Sequence, residues 1–171
     1  MDIGSILHDT PAWVFVLFAV LMVFGVQALR TRSVAPWRLL VVPAVFIGWG
    51  LATFALRAAA SPVFAAAWGG AALAGIAMGW LTTSASALRF DLANARVTTP
   101  GSPATLIRNL TIFAAKYGLA VAVARAPEHL PALLAWDSGV SGLAAGYFIG
   151  WLLRLFAQYR SARAARLQPA I

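Results

Sequence analysis

The sequence predicts an all-α fold: a polytopic membrane helix bundle of five transmembrane helices, with a short hairpin-like loop between the third and the fourth. Three observations carry this. Of the 171 residues, 61% are hydrophobic and only 11% charged, against about 25% charged in an ordinary soluble domain. The apolar residues fall into five runs, each close to the roughly 20 residues that cross about 30 Å of hydrocarbon. The basic residues behind the net charge of +8 gather at the ends of those runs, which fits membrane orientation and argues against nucleic acid as the partner.

Residues Met1 to Pro11 are short and polar, with Asp2, His8 and Asp9. The first span follows over about 12–29. Val26-Gln27-Ala28 faintly resembles a cleavage site, but no Lys or Arg precedes the run, and a signal peptide starts with positive charge; the expectation is a retained span. Arg30 to Arg38 reads as a basic turn. The second span covers about 39–56 and holds Pro43, tolerated where neighbours satisfy the freed carbonyl. Arg57 to Pro62 is a tight turn into the third span, about 63–81. In the polar stretch after it, Leu88, Phe90 and Leu92 alternate with Arg89 and Asp91, Ala93-Asn94-Ala95 suits a turn, and Arg96 to Thr99 suits a second strand ended by Pro100-Gly101. This predicts a small hairpin at the membrane surface, with an irregular loop as its alternative. The fourth span runs over about 106–124. Pro127 and Pro131 break the helix, and the fifth span covers about 132–155, its helix continuing into a basic tail at 156–171. The whole chain reads as one integral membrane domain.

One side of the membrane would receive Arg30, Arg32, Arg38, Arg89, Arg96, Arg108, Arg154, Arg160, Arg163 and Arg166, the other only Arg57 and Arg125. By the positive-inside rule the N-terminus is then outside and the C-terminus cytoplasmic. Trp13, Trp68 and Trp136 fall at the outer interface and Trp37 and Trp80 at the inner one, whereas Trp49 falls mid-span and is expected to pack on a neighbouring helix.

Small residues recur at every fourth position: Ser138, Gly142, Gly146 and Gly150 in the fifth span, Ala71, Gly75 and Gly79 in the third, Ala114 and Gly118 in the fourth. Such stripes let helix backbones approach closely. They serve either packing inside the bundle or contact with a second copy or another membrane protein.

Lys116 is the one basic residue set well inside a span, away from its ends. It lies eight residues beyond Arg108, about 12 Å along a helix. A charge at that depth costs about 2.5–3.5 kcal/mol on insertion scales and is a functional candidate by default; the structural alternative is that its stem snorkels to the interface. Asp137, the nearest carboxylate, is expected close to the outer end of the fifth span, so Tyr117, Asn109, Thr111 and Ser141 are the expected neutral partners. His8, Asp9, Glu128, His129 and Asp137 share the outer side without tight ligand spacing, and predict solvated loops and no metal site. The arginines of the tail suit an anionic leaflet. Neither a phosphate-binding loop, a nucleophile elbow, nor a metalloprotease motif is present, and there is no cysteine. No cofactor and no catalytic residue are predicted.

The stretches HDTPAWVFVLFAVLMVFGVQALRTR, RFDLANARVTTPGS, IFAAKYGLAVAVA and SGLAAGYFIGWLLRL resemble an uncharacterised bacterial family of small polytopic inner-membrane proteins, a domain of unknown function. The likeness covers nearly the whole chain, and PGS followed by the FxxKY-type run with Lys116 and Tyr117 is its most specific part. The resemblance implies a bacterial cytoplasmic membrane and assigns no activity. The resulting expectation is a non-enzymatic accessory or scaffold protein acting through helix contacts in the lipid bilayer; the alternative is a small transporter or channel subunit with Lys116 in its polar pathway.

Overall fold

The computed structural model describes residues 8, 10–58, 60–83, 89–91 and 96–167. Five helices dominate: α1 (Ala12–Gln27), α2 (Pro36–Ala58), α3 (Pro62–Thr82), α4 (Ala104–Arg125) and α5 (Leu130–Leu167). Three short strands, β1 (Arg32–Val34), β2 (Arg89–Asp91) and β3 (Arg96–Thr99), form one sheet. Prolines punctuate the helices where the sequence predicted. Pro36 opens α2, and Pro62 occupies the first turn of α3 behind Ser61, whose hydroxyl accepts from Val63 N–H at 3.2 Å. Proline suits this place because its missing N–H would be unpaired there anyway. Pro127 opens a 3-10 turn, Pro127–His129, that leads directly into α5.

Four helical segments are long and apolar enough to cross a membrane: Pro36–Arg57, Pro62–Thr82, Ala104–Arg125 and Pro127–Ala164. The first apolar helix has 16 residues, about 24 Å at 1.5 Å per residue. The fifth continues past 155 into the basic tail, as the sequence predicts: it runs unbroken for 38 residues, about 57 Å; 168–171 lie outside the described residues.

One backbone feature agrees with expectation and one differs. The predicted hairpin is present as β2 and β3, with Arg89 opposite Thr98, Phe90 opposite Val97 and Asp91 opposite Arg96; Leu88, Leu92 and its turn at 93–95 lie outside the described residues. The basic turn after α1 contains a strand too. β1 pairs antiparallel with β3, Ser33 opposite Thr98, and gives the order β1-β3-β2. Val97 is buried in the central strand. Arg32 to Val34 is too short to alternate legibly, and its partner lies far along the chain. The pairing holds the α1–α2 and α3–α4 connections at one end of the bundle, and Ser102 N–H adds a bond to the Ala28 carbonyl at 2.8 Å.

α5 is the central helix. It packs most extensively on α3, then on α2 and α4, while α1 packs on α4. The α3–α5 contact has no side chain between the backbones. A Cβ on Gly142, Gly146 or Gly150 would overlap the carbonyls of Trp68, Ala72 and Ile76, and one on Gly75 or Gly79 would overlap the Leu143 and Tyr147 carbonyls. Residue numbers rise together along both helices, so α3 and α5 run parallel. Ser138, buried at the head of the stripe, bonds the Leu134 carbonyl at 2.9 Å. Gly118 breaks the pattern. Among the described residues a Cβ there meets no atom within 4 Å, so this glycine, expected to serve packing, brings no helix close.

The remaining contacts fix direction. Phe46 stacks on Phe148 with centroids 5.0 Å apart, and Arg57 reaches Asp137, so α2 opposes α5. Thr10 meets Tyr117, Phe18 meets Phe113 at 5.3 Å, and a Cβ on Gly25 would overlap Leu106, so α1 opposes α4 over most of its length. α1, α3 and α5 run one way and α2 and α4 the other.

Candidate functional site

The sequence leaves Lys116 without a carboxylate, and the structure corrects this. Lys116 forms an ion pair with Asp137, and so does Arg57 from the end of α2. Asp137 lies two turns inside α5, because the helix begins at Leu130 directly after the 3-10 turn, and Lys116 on α4 reaches it. Side-chain exposure is 29% for Arg57, 13% for Lys116 and 11% for Asp137. Two cations on one carboxylate leave the cluster at +1.

Each cation also donates beyond the carboxylate. Lys116 Nζ also donates to Ser141 Oγ at 2.8 Å, and Ser141 in turn donates to the Asp137 carbonyl at 2.8 Å. The ammonium sits 5.4 Å from the Trp49 ring centroid, a cation–π contact. This gives mid-span Trp49 its role against the facing helix. Arg57 Nη1 donates to the Leu134 carbonyl at 3.3 Å as well as to the carboxylate. Of the expected neutral partners, Ser141 is one. Tyr117 turns away to share a 2.7 Å bond with Thr10, just before α1. Asn109 lies two turns down α4, far from the ammonium.

The cluster forms part of the wall of a cavity of about 700 Å³, together with Thr10, Leu17, Leu21, Phe46, Ile112 and Phe113. Ligand sites fall in the range of about 300–1,000 Å³, mostly apolar with a few placed polar groups, and this one matches in size and lining. A second cavity, of about 120 Å³, lies at the sheet end and is lined by Phe24, Arg38, Val42, Pro43, Thr105, Arg108, Asn109 and Phe148. Along α1 the large cavity takes residues up to Leu21 and the small one those from Phe24. On α2 the division falls between Pro43 and Val45, and on α4 between Asn109 and Ile112. The two cavities therefore occupy successive levels of one interhelical space. Between them sits the apolar core of Leu21, Phe46, Ala144 and Phe148, with Leu17, Val42, Ile112 and Phe113 packed on it.

The outer His and carboxylate residues do not converge on a metal site among the described residues. Asp137 is engaged by its two cations, Asp9 lies outside the described residues, and Glu128 and His129 face solvent 4.0 Å apart.

Apolar helices of spanning length, a buried charge cluster and a lined interhelical space define a multi-pass membrane protein. The chain belongs to a family of unknown function, DUF6622, which matches residues 1–169, in keeping with the resemblance to an uncharacterised family. No curated protein and no solved structure matches it.

Proposed function

We propose that the chain is a non-enzymatic, five-span protein of a bacterial cytoplasmic membrane that passes a small anion along the interhelical space holding Lys116. The observation that supports this is the alignment of the two cavities with an apolar plug between them. Hydrophobic constrictions gate by excluding water, and the stacked Phe46–Phe148 pair fills that place. The +1 charge of the Arg57–Asp137–Lys116 cluster favours an anion. The alternative, a scaffold acting through helix contacts, loses its most specific support, since the fifth-span glycines face α3 of the same chain.

α1 serves as the fifth span in this reading. It opposes α4 from Tyr117 down to Leu106, and 16 helical residues with their flanks cover most of the hydrocarbon. The arginine bias puts the sheet end in the cytoplasm and the cluster toward the outside. Reporter fusions after Arg32 and at the C-terminus are expected to report the same, cytoplasmic side; opposite sides would refute five spans.

The activity is tested in proteoliposomes loaded with chloride, nitrate or acetate. Efflux above that of protein-free vesicles is expected, and Lys116→Met abolishes it. An efflux that Lys116→Met leaves unchanged, or none with any of the three anions, overturns the proposal.

A further inference from the structure

The smaller cavity has a chemistry distinct from that of the cluster. We propose that it is a binding site for a tetrahedral oxyanion, a phosphate group held by Arg108, Asn109 and Arg38. Asn109 is wholly buried, at 0% exposure, and its Nδ2 has no partner. A buried amide donor left unpaired is costly, so natural chains rarely keep one without a use. Its Oδ1 faces Arg108 Nη2 at 3.5 Å, which leaves the amide's donor side for an acceptor.

Arg108 adds the charge. Its guanidinium carbon lies 4.7 Å from the Phe148 ring centroid and 5.2 Å from that of Tyr147. Ring faces hold a guanidinium without consuming its N–H donors, and Arg108 Nε is buried with no partner. Arg38 lines the same space from α2. Among the described residues no carboxylate lines it, in contrast to the outer cluster, where Asp137 answers two cations. Thr105 brings the first turn of α4, whose dipole favours negative charge. About 120 Å³ is small for a drug-sized ligand, but several times the roughly 30 Å³ share of one water, enough for one phosphate group.

Such a group arrives either as inorganic phosphate or as the headgroup of an anionic phospholipid, and two arms separate these sources. In the first, inorganic phosphate is titrated by calorimetry into the purified full chain in a neutral detergent. In the second, spin-labelled phosphatidylglycerol is compared with spin-labelled phosphatidylcholine in nanodiscs containing the protein, and the immobilised fraction is read. Saturable binding with one site per chain is expected in one arm at least. Arg108→Gln and Asn109→Ala each weaken it about tenfold, the worth of a charge-assisted hydrogen bond, while Lys116→Met leaves it unchanged. Asn109→Ala removes the unpaired Nδ2 and, with it, only the Oδ1 that faces Arg108 at the long distance of 3.5 Å, so it disturbs the fold less than Arg108→Gln and serves even if that variant fails to fold. Binding confined to the first arm assigns free phosphate, and binding confined to the second assigns the lipid. No saturable binding in either arm, or binding that Asn109→Ala leaves intact, overturns the proposal. This site is independent of the transport reading: phosphate binding without any efflux would uphold the one and sink the other.

Discussion

Asp137→Ala is expected to destabilise the folded chain in detergent by about 3 kcal/mol, the range in which removing one partner of a buried ion pair falls. The carboxylate accepts from both Arg57 and Lys116, so its loss leaves two cations facing each other across an apolar cavity. Arg57 is 29% exposed and can turn to water. Lys116, at 13%, can only keep Ser141 and the Trp49 face. The double variant Asp137→Ala/Lys116→Met removes the stranded ammonium and should recover part of the loss, a coupling that a double-mutant cycle measures. Unfolding midpoints of the four proteins decide it. If Asp137→Ala is as stable as the parent, the cluster does not hold α2, α4 and α5 together.

Gly146→Leu is expected to abolish folding or cost about 3 kcal/mol or more, at the upper end of overpacking effects. Even the first added atom overlaps the Ala72 carbonyl, its carbon and its Cα, and a helix backbone cannot yield as a side chain can. Gly118→Ala supplies the contrast. Nothing lies within 4 Å of its added methyl, so the substitution should stabilise by up to about 1 kcal/mol through helix propensity. Yield of monodisperse protein and thermal midpoint separate the two. A folded, wild-type-like Gly146→Leu would mean that α3 and α5 do not touch as described.

The helices were legible because their signal is local: long apolar runs end in arginine or proline, as at Arg57, Ser61-Pro62 and Arg125-Ala126-Pro127. The fifth-span stripe was legible as a packing surface, but spacing does not say which helix lies opposite, and Gly118 carried the same spacing with no neighbour. The ion pairs were missed for a geometric reason. Depth counted in residues put Asp137 near the outer end, whereas a helix start at Leu130 and the reach of the Lys116 stem bring the charges together. The proline-rich break at Pro127 to Pro131 was the available signal, since such a turn feeds a helix without delay. Asn109 drew attention only as a partner for Lys116; its own burial depends on the cavity between α2, α4 and α5, which no local pattern encodes. β1 was missed because a three-residue strand is defined by its partner.

The glycine contact also divides the molecule mechanically. With carbonyls seated where side chains would stand, α3 cannot slide along α5 by a single residue without driving methyl or larger groups into backbone. Those two helices act as a stator. α1 and the residue ahead of its cap meet α4 through a ring and a hydroxyl, Phe18 on Phe113 and Thr10 on Tyr117, which re-pack by rotating about side-chain bonds. Any widening of the interhelical space therefore falls to that softer wall.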